Sequence, residues 1–228
     1  MYVNNEIGTI QPIKELAEFA HNHGALFHTD AVQAVGHIPI DVKELGVDML
    51  SASAHKFNGP KGVGFQYIRK GVQLGCYQDG GSQESGFRAG TENVAGIVGM
   101  AVALDIANAA IASEMKRLSE LRLRLINQLT DAGVDFIVNG GNKVYPGTVS
   151  LSFKNSNGEK LLHRLDLQGI FVSTGSACNS VNNQLSHVIT AINVPSDYAH
   201  GTIRISLGRY NTEEDVDAIV KALIKILK

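Results

Sequence analysis

The first third of the sequence alternates between helical patterns and short apolar runs, and this alternation constrains the fold most strongly. Residues 12–23 predict a helix, because Pro12 suits the first turn and Gly24 suits the C-terminal cap. Apolar runs at residues 25–27 and 47–50 predict two strands joined by a short crossover. Strands connected in this way pair in parallel and carry helices on their faces. The sequence therefore predicts an α/β fold with a partial, mostly parallel sheet.

The remainder of the chain predicts a long helix followed by a second, smaller α/β domain of α+β character. Thr212 predicts the N-cap of the last helix, with Asp215 completing a capping box. We expect two domains, residues 1–109 and residues 110–228. The predicted elements are helices at residues 93–131 and 158–165, and strands at residues 148–153 and 170–173.

Composition and charge exclude several classes of protein. Among the 228 residues, 44% are hydrophobic and 18% are charged, which excludes a disordered or fibrous chain. The formal net charge of -2 gives no indication of a nucleic-acid partner or an acidic membrane. The most apolar long segment, residues 95–112, is interrupted by Asp105 and Asn108, which favours a buried helix over a membrane span.

The chain contains two cysteines, Cys76 and Cys178. This usage fits a reducing compartment, so we expect a cytoplasmic protein. Neither cysteine has a second cysteine within four residues, and we therefore expect no zinc-type metal site.

Lys56 lies in a turn between the apolar run at residues 47–50 and a second run at residues 63–68. Ser53 and His55 precede it, and a Gly/Pro-rich turn follows. Apolar walls lower the pKa of a lysine and prepare it for a Schiff base, while serine hydroxyls can bind an anion. An ordinary exposed turn lysine is the alternative.

Asp30 follows the apolar run at residues 25–27, so we expect it at or near the carboxyl end of a strand. Open α/β sheets place their ligand sites at that end. If Lys56 holds pyridoxal phosphate, Asp30 can keep the ring nitrogen protonated, and Gln33 can donate to the phenolate oxygen. The alternative is that Asp30 is a helix N-cap.

Cys178 lies among small and polar residues just after a predicted strand, a setting that favours a solvent-reachable, reactive thiol over a small core residue. Arg204 shares one face of a predicted strand with Ser206, opposite Ile203 and Ile205. A guanidinium there can hold a carboxylate in a bidentate pair, and a surface salt bridge is the alternative.

Four motifs occur together in one order: Asn4-Asn5-Glu6-Ile7-Gly8, His28-Thr29-Asp30-Ala31-Val32-Gln33, Ser53-Ala54-His55-Lys56 and Arg88-Ala89-Gly90-Thr91-Glu92-Asn93. In order and approximate spacing they resemble the cysteine desulfurases of the NifS/IscS type. Those enzymes belong to the class V aminotransferase group, which has the fold-type I architecture of pyridoxal phosphate enzymes. The resemblance covers the whole chain.

The resemblance implies a homodimeric, cytoplasmic cysteine desulfurase with pyridoxal phosphate as cofactor. Residues 1–109 would be the remaining part of the cofactor-binding large domain, and residues 110–228 the small domain with the cysteine loop. L-cysteine would be the substrate, and a sulfur-acceptor protein such as an iron–sulfur scaffold would be the partner.

The roles that the resemblance implies fall into three groups. Lys56, His55 and Cys178 would be catalytic, with Cys178 attacking the substrate sulfur to become a persulfide. Arg204 would bind the substrate carboxylate, whereas Arg209 would be structural. The cofactor-binding residues would be Lys56, Asn5, Asp30, Gln33, Ser53, His55 and Thr91, the last reaching the phosphate in the partner subunit.

The family normally carries a further segment ahead of what is here Met1, with an Ala-Thr pair that holds the phosphate and a histidine that stacks on the cofactor ring. We therefore expect weakened cofactor affinity and exposed apolar surface. Two alternatives to the desulfurase remain open: another class V lyase, such as a selenocysteine lyase, and a dimerising module or fragment that does not hold cofactor.

Overall fold

A computed structural model describes residues 1–175 and 185–228. Its contacts divide the chain into two compact units. The N-terminal unit comprises Met1–Tyr2 and Gln11–Ile111, and the C-terminal unit comprises Val3–Ile10 and Ala112–Lys228. The sequence analysis did not anticipate that residues near the N-terminus would belong to the C-terminal unit.

The N-terminal unit is built around a three-stranded sheet in the order β1-β2-β3. The strands are β1 (His28–Asp30), β2 (Met49–Ser53) and β3 (Gly64–Ile68). Strand β1 pairs in parallel with β2, with Asp30 opposite Ser51, and β3 pairs antiparallel with β2. The parallel pair confirms the predicted order of strand, crossover and strand. The strand predicted at residues 25–27 is wrong in position, because β1 begins at His28 and the Ala25 N–H donates to the Ala20 carbonyl at the end of the preceding helix.

One helix of this unit precedes β1, and another lies between β1 and β2. Helix α1 forms where the sequence predicted it, over Ile13–Asn22 with Pro12 as its N-cap, and it buries Ile13 and Ala17. Helix α2 spans Val42–Leu45, where the Asp41 carboxylate accepts hydrogen bonds from the backbone N–H groups of Lys43 and Glu44. These bonds satisfy donors that the first turn of a helix leaves free.

The C-terminal unit has an antiparallel sheet in the order β4-β5-β6, covered by helices. The strands are β4 (Phe136–Val138), β5 (Thr148–Phe153) and β6 (Thr202–Ser206), and the helices after the long α3 (Val94–Asp131) are α4 (Gly158–Asp166), α5 (His187–Ala191), α6 (Ser196–Ala199) and α7 (Glu213–Leu227). The predicted capping box of α7 is confirmed, with the Thr212 hydroxyl accepting from the Asp215 N–H. The mixed α/β architecture predicted for the whole chain is confirmed.

The strand predicted at residues 170–173 is wrong. Residues 170–172 adopt no strand, and only Ser173 forms an isolated bridge, to Arg204. The reason lies at the end of α4, where Gly169 adopts a positive φ of 75° and the Ile170 N–H donates to the Leu165 carbonyl. That bond commits the backbone to a helix C-cap instead of a sheet ladder.

The buried helix predicted at residues 95–112 is also wrong in its burial. The helix forms, but the side chains of Val94, Val98, Val102 and Ile106 are between 51% and 65% exposed. Spaced four residues apart, they form one stripe, which we call the α3 apolar stripe. The physical reason is that the described part of the N-terminal unit contacts this half of α3 at small residues. A Cβ at Gly99 would lie 2.9 Å from Pro60 Cγ, and Ala107 Cβ approaches residue 36.

By length and composition, α3 also meets the criteria for a membrane span. A single such helix is weak evidence, because long helices of soluble proteins meet the same criteria.

Candidate active site

The edge where β1 and β2 end brings together the first group of candidate residues. Asp30 is the last residue of β1, and its register partner in β2 is Ser51. The ladder continues one step further, because the Ala31 N–H donates to the Ser51 carbonyl at 2.9 Å. Since parallel neighbours end at the same edge, Asp30 and the turn after β2 both follow carboxyl ends, as ligand sites in such sheets do.

Asp30 is not a helix N-cap. Its Oδ1 accepts a hydrogen bond from the Val32 N–H at 2.9 Å, forming a local turn that holds the carboxylate in place. The described residues place no hydrogen bond on Oδ2, so that oxygen can receive another donor. Gln33 lies in the same turn and is half-buried.

Lys56 is in a short 3₁₀ helix, Ala54–Phe57, that follows β2 directly. The Ala54 N–H donates to the Val63 carbonyl, and the Gly59 N–H donates back to the Ala54 carbonyl at 2.8 Å. Asn58 takes a left-handed conformation with φ of 65°, which closes the turn. A short helix anchored at both ends can present Lys56 at a constant position.

Within this turn, Phe57 points inward and Lys56 points outward. The Phe57 ring is 1% exposed, and Ala54 is fully buried, whereas His55 and Lys56 are exposed. The Lys56 ammonium forms no ion pair with any of the described residues. An exposed amine without a carboxylate partner is available to react with an aldehyde.

Two hydrogen-bonded pairs of side chains involve β1, β2 and the Lys56 turn. Ser53 Oγ and His55 Nδ1 are 2.9 Å apart, and His28 Nε2 and Ser51 Oγ are 2.7 Å apart. The first pair joins two residues that the sequence selected for the cofactor. It connects the last residue of β2 to the Lys56 turn through side chains as well as backbone.

His37 is a residue that the sequence analysis did not select. Its Nε2 donates a hydrogen bond to the Lys56 carbonyl at 2.9 Å. Burial lowers the pKa of the imidazole below its ordinary value. The hydrogen bond to the Lys56 carbonyl raises that pKa and the nearby Lys56 charge lowers it, but burial is the largest effect. Residues 37 and 56 are 19 apart in sequence, so no local motif could have indicated this contact.

Thr91 lies in the N-terminal unit, exposed, three residues before α3 begins at Val94. The polar loop before it includes the short 3₁₀ turn Glu84–Gly86. A role for Thr91 at the cofactor phosphate of a partner subunit therefore stays a prediction.

The C-terminal unit holds the second group of candidate residues, beginning with a tight turn at residues 4–8. The Asn4 side chain accepts hydrogen bonds from the N–H groups of Glu6 and Ile7, and Gly8 has a φ of 73°. Ile7 is buried against Ile189 of α5 and Ala199 of α6. The Asn4 side chain therefore stabilises the turn, and Ile7 packs it against α5 and α6.

Arg204 lies in β6 and reaches this turn. Its Nη1 donates to the Asn5 carbonyl at 2.8 Å, while its Nε is buried without a hydrogen-bond partner among the described residues. Burial lowers the pKa of the guanidinium, and the negative charge of Glu6 opposes that effect. An arginine remains charged at neutral pH, so an unpaired buried N–H of this kind indicates a place for an acceptor such as a carboxylate.

Glu6 is the second residue that the sequence analysis did not select, although it lies inside a quoted motif. Its side chain is 3% exposed, and its Oε2 accepts from the Ser186 hydroxyl at 2.5 Å. A Cβ at Gly175 would lie 3.6 Å from the same oxygen. Gly175 directly precedes the undescribed residues 176–184, and Ser186 is the second described residue after them, so Glu6 lies near described residues on both sides of that segment.

Cys178 belongs to residues 176–184 and so lies outside the described residues. Cys76 is exposed, and its thiol lies 3.5 Å from the Phe87 carbonyl. Among the described residues, no group of three or more histidine, cysteine or acidic side chains could hold a metal ion. The structure therefore brings together Asp30, Gln33, Ser53, His55 and Lys56 in one unit, and Asn5 with Arg204 in the other.

The sequence matches a known family model over residues 1–219, that of the class V aminotransferases. Among curated proteins, "Cysteine desulfurase IscS" of Dictyoglomus turgidum is 51% identical over 230 residues. That alignment covers 100% of this chain and 58% of the relative, so the chain spans less than two thirds of the relative's length.

Solved structures show the same similarity in three dimensions. A "NIFS-like protein" superimposes with a TM-score of 0.89 at 44% identity, covering 100% of this chain and 60% of the other. A structure described as "SspA in complex with cysteine" superimposes with a TM-score of 0.73 at 34% identity, covering 92% of this chain and 58% of the other.

Proposed function

Because this chain belongs to the class V aminotransferase family, whose members depend on pyridoxal phosphate, we propose that it acts as a cysteine desulfurase. The reaction would convert L-cysteine to L-alanine and transfer the sulfur to Cys178. The observation that carries this proposal is the shared edge of β1 and β2, where Asp30 and the Lys56 turn follow two parallel neighbours. The desulfurase named among the relatives adds support.

The chemistry of the residues at this edge fits the cofactor. Lys56 supplies an exposed amine for the aldehyde, and Asp30 supplies a carboxylate oxygen for the protonated ring nitrogen. Gln33 follows Asp30 in the same turn and would donate to the phenolate oxygen. Ser53 and His55, which are hydrogen-bonded to each other, would lie on the phosphate or acid–base side.

When bound, pyridoxal phosphate supplies an electron sink that stabilises negative charge at the substrate Cα. Lys56 Nζ would both hold the cofactor and carry the proton that leaves the substrate Cα. The Asp30 carboxylate would keep a proton on the ring nitrogen, which is the condition for that electron sink. Thr91 is proposed to contact the phosphate bound by a second copy of the chain.

Arg204 is proposed to bind the α-carboxylate of L-cysteine. Its Nη1 is already held by the Asn5 carbonyl, so the guanidinium is oriented before substrate arrives. The buried Nε without a protein partner would then donate to a carboxylate oxygen. Asn5 is proposed to act at the cofactor through its side chain while its backbone orients Arg204.

Cys178 is proposed to attack the sulfur of the bound cysteine as a thiolate. The bond between the substrate Cβ and its sulfur breaks, an S–S bond forms on Cys178, and protonation of the three-carbon fragment gives alanine. The products are one alanine and one persulfide, which balances the atoms of one cysteine and one thiol without an external oxidant. A sulfur-acceptor protein, such as an iron–sulfur scaffold or a thiolation protein, would remove the persulfide sulfur.

We propose a cytoplasmic homodimer, and the cytoplasmic location rests on the two cysteines of the sequence, a usage that fits a reducing compartment. The proposed dimer follows from the Thr91 assignment, since its phosphate would belong to the partner copy.

A visible spectrum of the purified chain with added pyridoxal phosphate tests the proposal first. We expect an absorbance band that borohydride removes, with the cofactor then found by mass spectrometry on Lys56. Lys56→Ala should abolish the band, whereas Lys61→Ala, which removes an exposed lysine of the same turn, should keep it. A colourless chain would contradict cofactor binding and favour the non-catalytic module.

Sulfide and alanine release from L-cysteine tests the reaction. Cys178→Ser should abolish sulfur transfer while the spectrum is retained, and Cys76→Ser should leave both unchanged. Arg204→Lys should raise KM for L-cysteine by about tenfold to a hundredfold, because a lysine loses the bidentate geometry. Arg209→Lys is the matched control, and equal effects of the two variants would contradict the assignment of Arg204.

A further inference from the structure

His37 contacts the backbone carbonyl of Lys56, the lysine proposed to hold the cofactor. Its Nε2 lies 2.9 Å from the Lys56 oxygen, and a carbonyl accepts hydrogen bonds without donating them. The imidazole must therefore carry its proton on Nε2. Burial lowers its pKa, so the ring is neutral at neutral pH.

The Lys56 carbonyl lacks a donor from its own helix. The 3₁₀ helix ends at Phe57, and the N–H groups of Asn58 and Gly59 both donate to the Ala54 carbonyl. The last carbonyls of a helix are left free unless a cap, water or a side chain satisfies them. His37 is the side chain that caps this helix at Lys56.

The chain is shaped to bring His37 to this position. Gly36 has a φ of 75°, and a Cβ there would lie 2.7 Å from Phe57 Cβ, so only glycine permits so close an approach. The N–H groups of His37 and Ile38 both donate to the Ala34 carbonyl at 3.0 Å, which holds the His37 backbone. Ile38 is 5% exposed and anchors the segment.

We propose that His37 is a positioning residue for Lys56: its Nε2–H caps the 3₁₀ helix and holds the Lys56 backbone at the orientation that presents the amine to pyridoxal phosphate. This inference rests on the proposed function, because it assumes that Lys56 receives the cofactor. A helix of one turn has few internal bonds, so one cap supplies a large share of its order. Loss of the cap lowers the fraction of time that the amine is correctly placed.

Competitive labelling within one molecule tests this role. The chain is mixed with pyridoxal phosphate, reduced with borohydride at short times, and digested, and mass spectrometry gives the ratio of label on Lys56 to label on Lys61. His37→Ala should lower this ratio about fivefold to tenfold, the equivalent of one typical hydrogen bond. His37→Gln, whose amide can donate from a similar position, should restore the ratio to within about twofold.

His23→Ala is the matched control. His23 also donates a ring N–H to a backbone carbonyl in the same unit, that of Phe19 at 2.8 Å, but it lies at the C-cap of α1. Its loss should leave the labelling ratio unchanged. An equal fall in both variants would mean that any weakened histidine bond lowers the ratio, and the specific role of His37 would be overturned.

Two further outcomes separate the inference from the proposed function. If the unsubstituted chain labels Lys56 no faster than Lys61, the cofactor role of Lys56 fails, whatever His37 does. If Lys56 is preferred and His37→Ala keeps that preference, the positioning role alone fails. Should His37→Ala not fold, His37→Asn and His37→Gln decide: the shorter amide should lower the ratio and the longer should not, and equal ratios would overturn the proposal.

Discussion

The two halves of helix α3 have similar lengths and opposite environments. In its C-terminal half, Leu118, Leu121, Leu125 and Leu129 are at most 4% exposed and pack into the core formed with β4, β5, β6 and α7. In its N-terminal half, the α3 apolar stripe is more than half exposed. Both halves show apolar residues at helical spacing, so periodicity alone could not distinguish them.

The comparison shows that an apolar stripe indicates a contact surface without saying what covers it. The C-terminal half meets a sheet and a helix supplied by the same unit, and its leucines are buried there. The N-terminal half contacts the rest of its unit through its own small residues, Gly99 and Ala107, on another face of the helix. Burial therefore depends on the partners that the chain supplies, and substitutions in the two halves should differ in cost.

The largest expected effect is that of Leu125→Ala in the buried half. Leu125 is fully buried, so the substitution removes apolar contacts and leaves a cavity. We expect the free energy of unfolding to fall by about 4 kcal/mol. The chain contains no tryptophan, so urea unfolding followed by far-UV circular dichroism is the appropriate measurement. A fall in the free energy of unfolding below about 1 kcal/mol would contradict the burial of the C-terminal half of α3.

Asp48→Asn is expected to have the next largest effect, in the N-terminal unit. The Asp48 carboxylate is fully buried, pairs with Arg69, and accepts from His21 Nε2 at 2.8 Å and from the Phe27 N–H at 2.7 Å. Replacement leaves these groups partly unsatisfied, and we expect a loss of about 2 kcal/mol at pH 7, because Arg69 is half exposed and can turn to water.

The pH dependence of this loss has a definite sign. Burial raises the pKa of the Asp48 carboxyl, but the hydrogen bonds from Phe27 and His21 and the charge of Arg69 outweigh it and hold the pKa below its ordinary value. The ion's contribution is therefore present above about pH 4 and is lost as the pH falls through the folded-state pKa. The difference in the free energy of unfolding between Asp48→Asn and the unsubstituted chain should become smaller as the pH falls. A difference that grows in acid would contradict the ion pair.

A smaller effect is expected for Asp217→Asn, which tests the surface of the C-terminal unit. Hydrogen bonds from Arg124 and Gln128 lower the pKa of Asp217 to about 2. Its contribution is present above about pH 4 and lost between about pH 4 and pH 2. Because both partners are partly exposed, the loss at pH 7 should be smaller than at Asp48 and should shrink further in 1 M salt. Urea midpoints at pH 7, with and without salt, measure it.

Local sequence signals predicted the elements whose causes are local. The capping box at Thr212, the strand at residues 148–153 and the first helix follow from cap chemistry and periodicity, and all three formed as predicted. The strand predicted at residues 170–173 failed because the α4 C-cap takes its first N–H group. A helix C-cap and strand pairing compete for the same backbone N–H group, and the apolar pattern does not indicate which of the two will form.

The candidate site divides in the same way. The sequence predicted Asp30 near the carboxyl end of a strand and was right, although β1 comprises His28–Asp30 and not the apolar run at residues 25–27. The contacts of His37 with Lys56, and of Glu6 with Ser186, join residues 19 and 180 apart. Such pairs depend on the packing of distant segments, which no local pattern encodes.

The smallest expected effect is that of Val102→Ala in the α3 apolar stripe, the exposed counterpart of Leu125→Ala. Val102 is 54% exposed, so little apolar surface returns to water on truncation, and alanine favours the helix slightly more than valine does. We expect the free energy of unfolding to change by less than about 0.5 kcal/mol in the same urea experiment. A fall in the free energy of unfolding above about 1.5 kcal/mol would mean that the stripe is covered in solution. Both halves of α3 would then be buried, and they would differ only in what covers them.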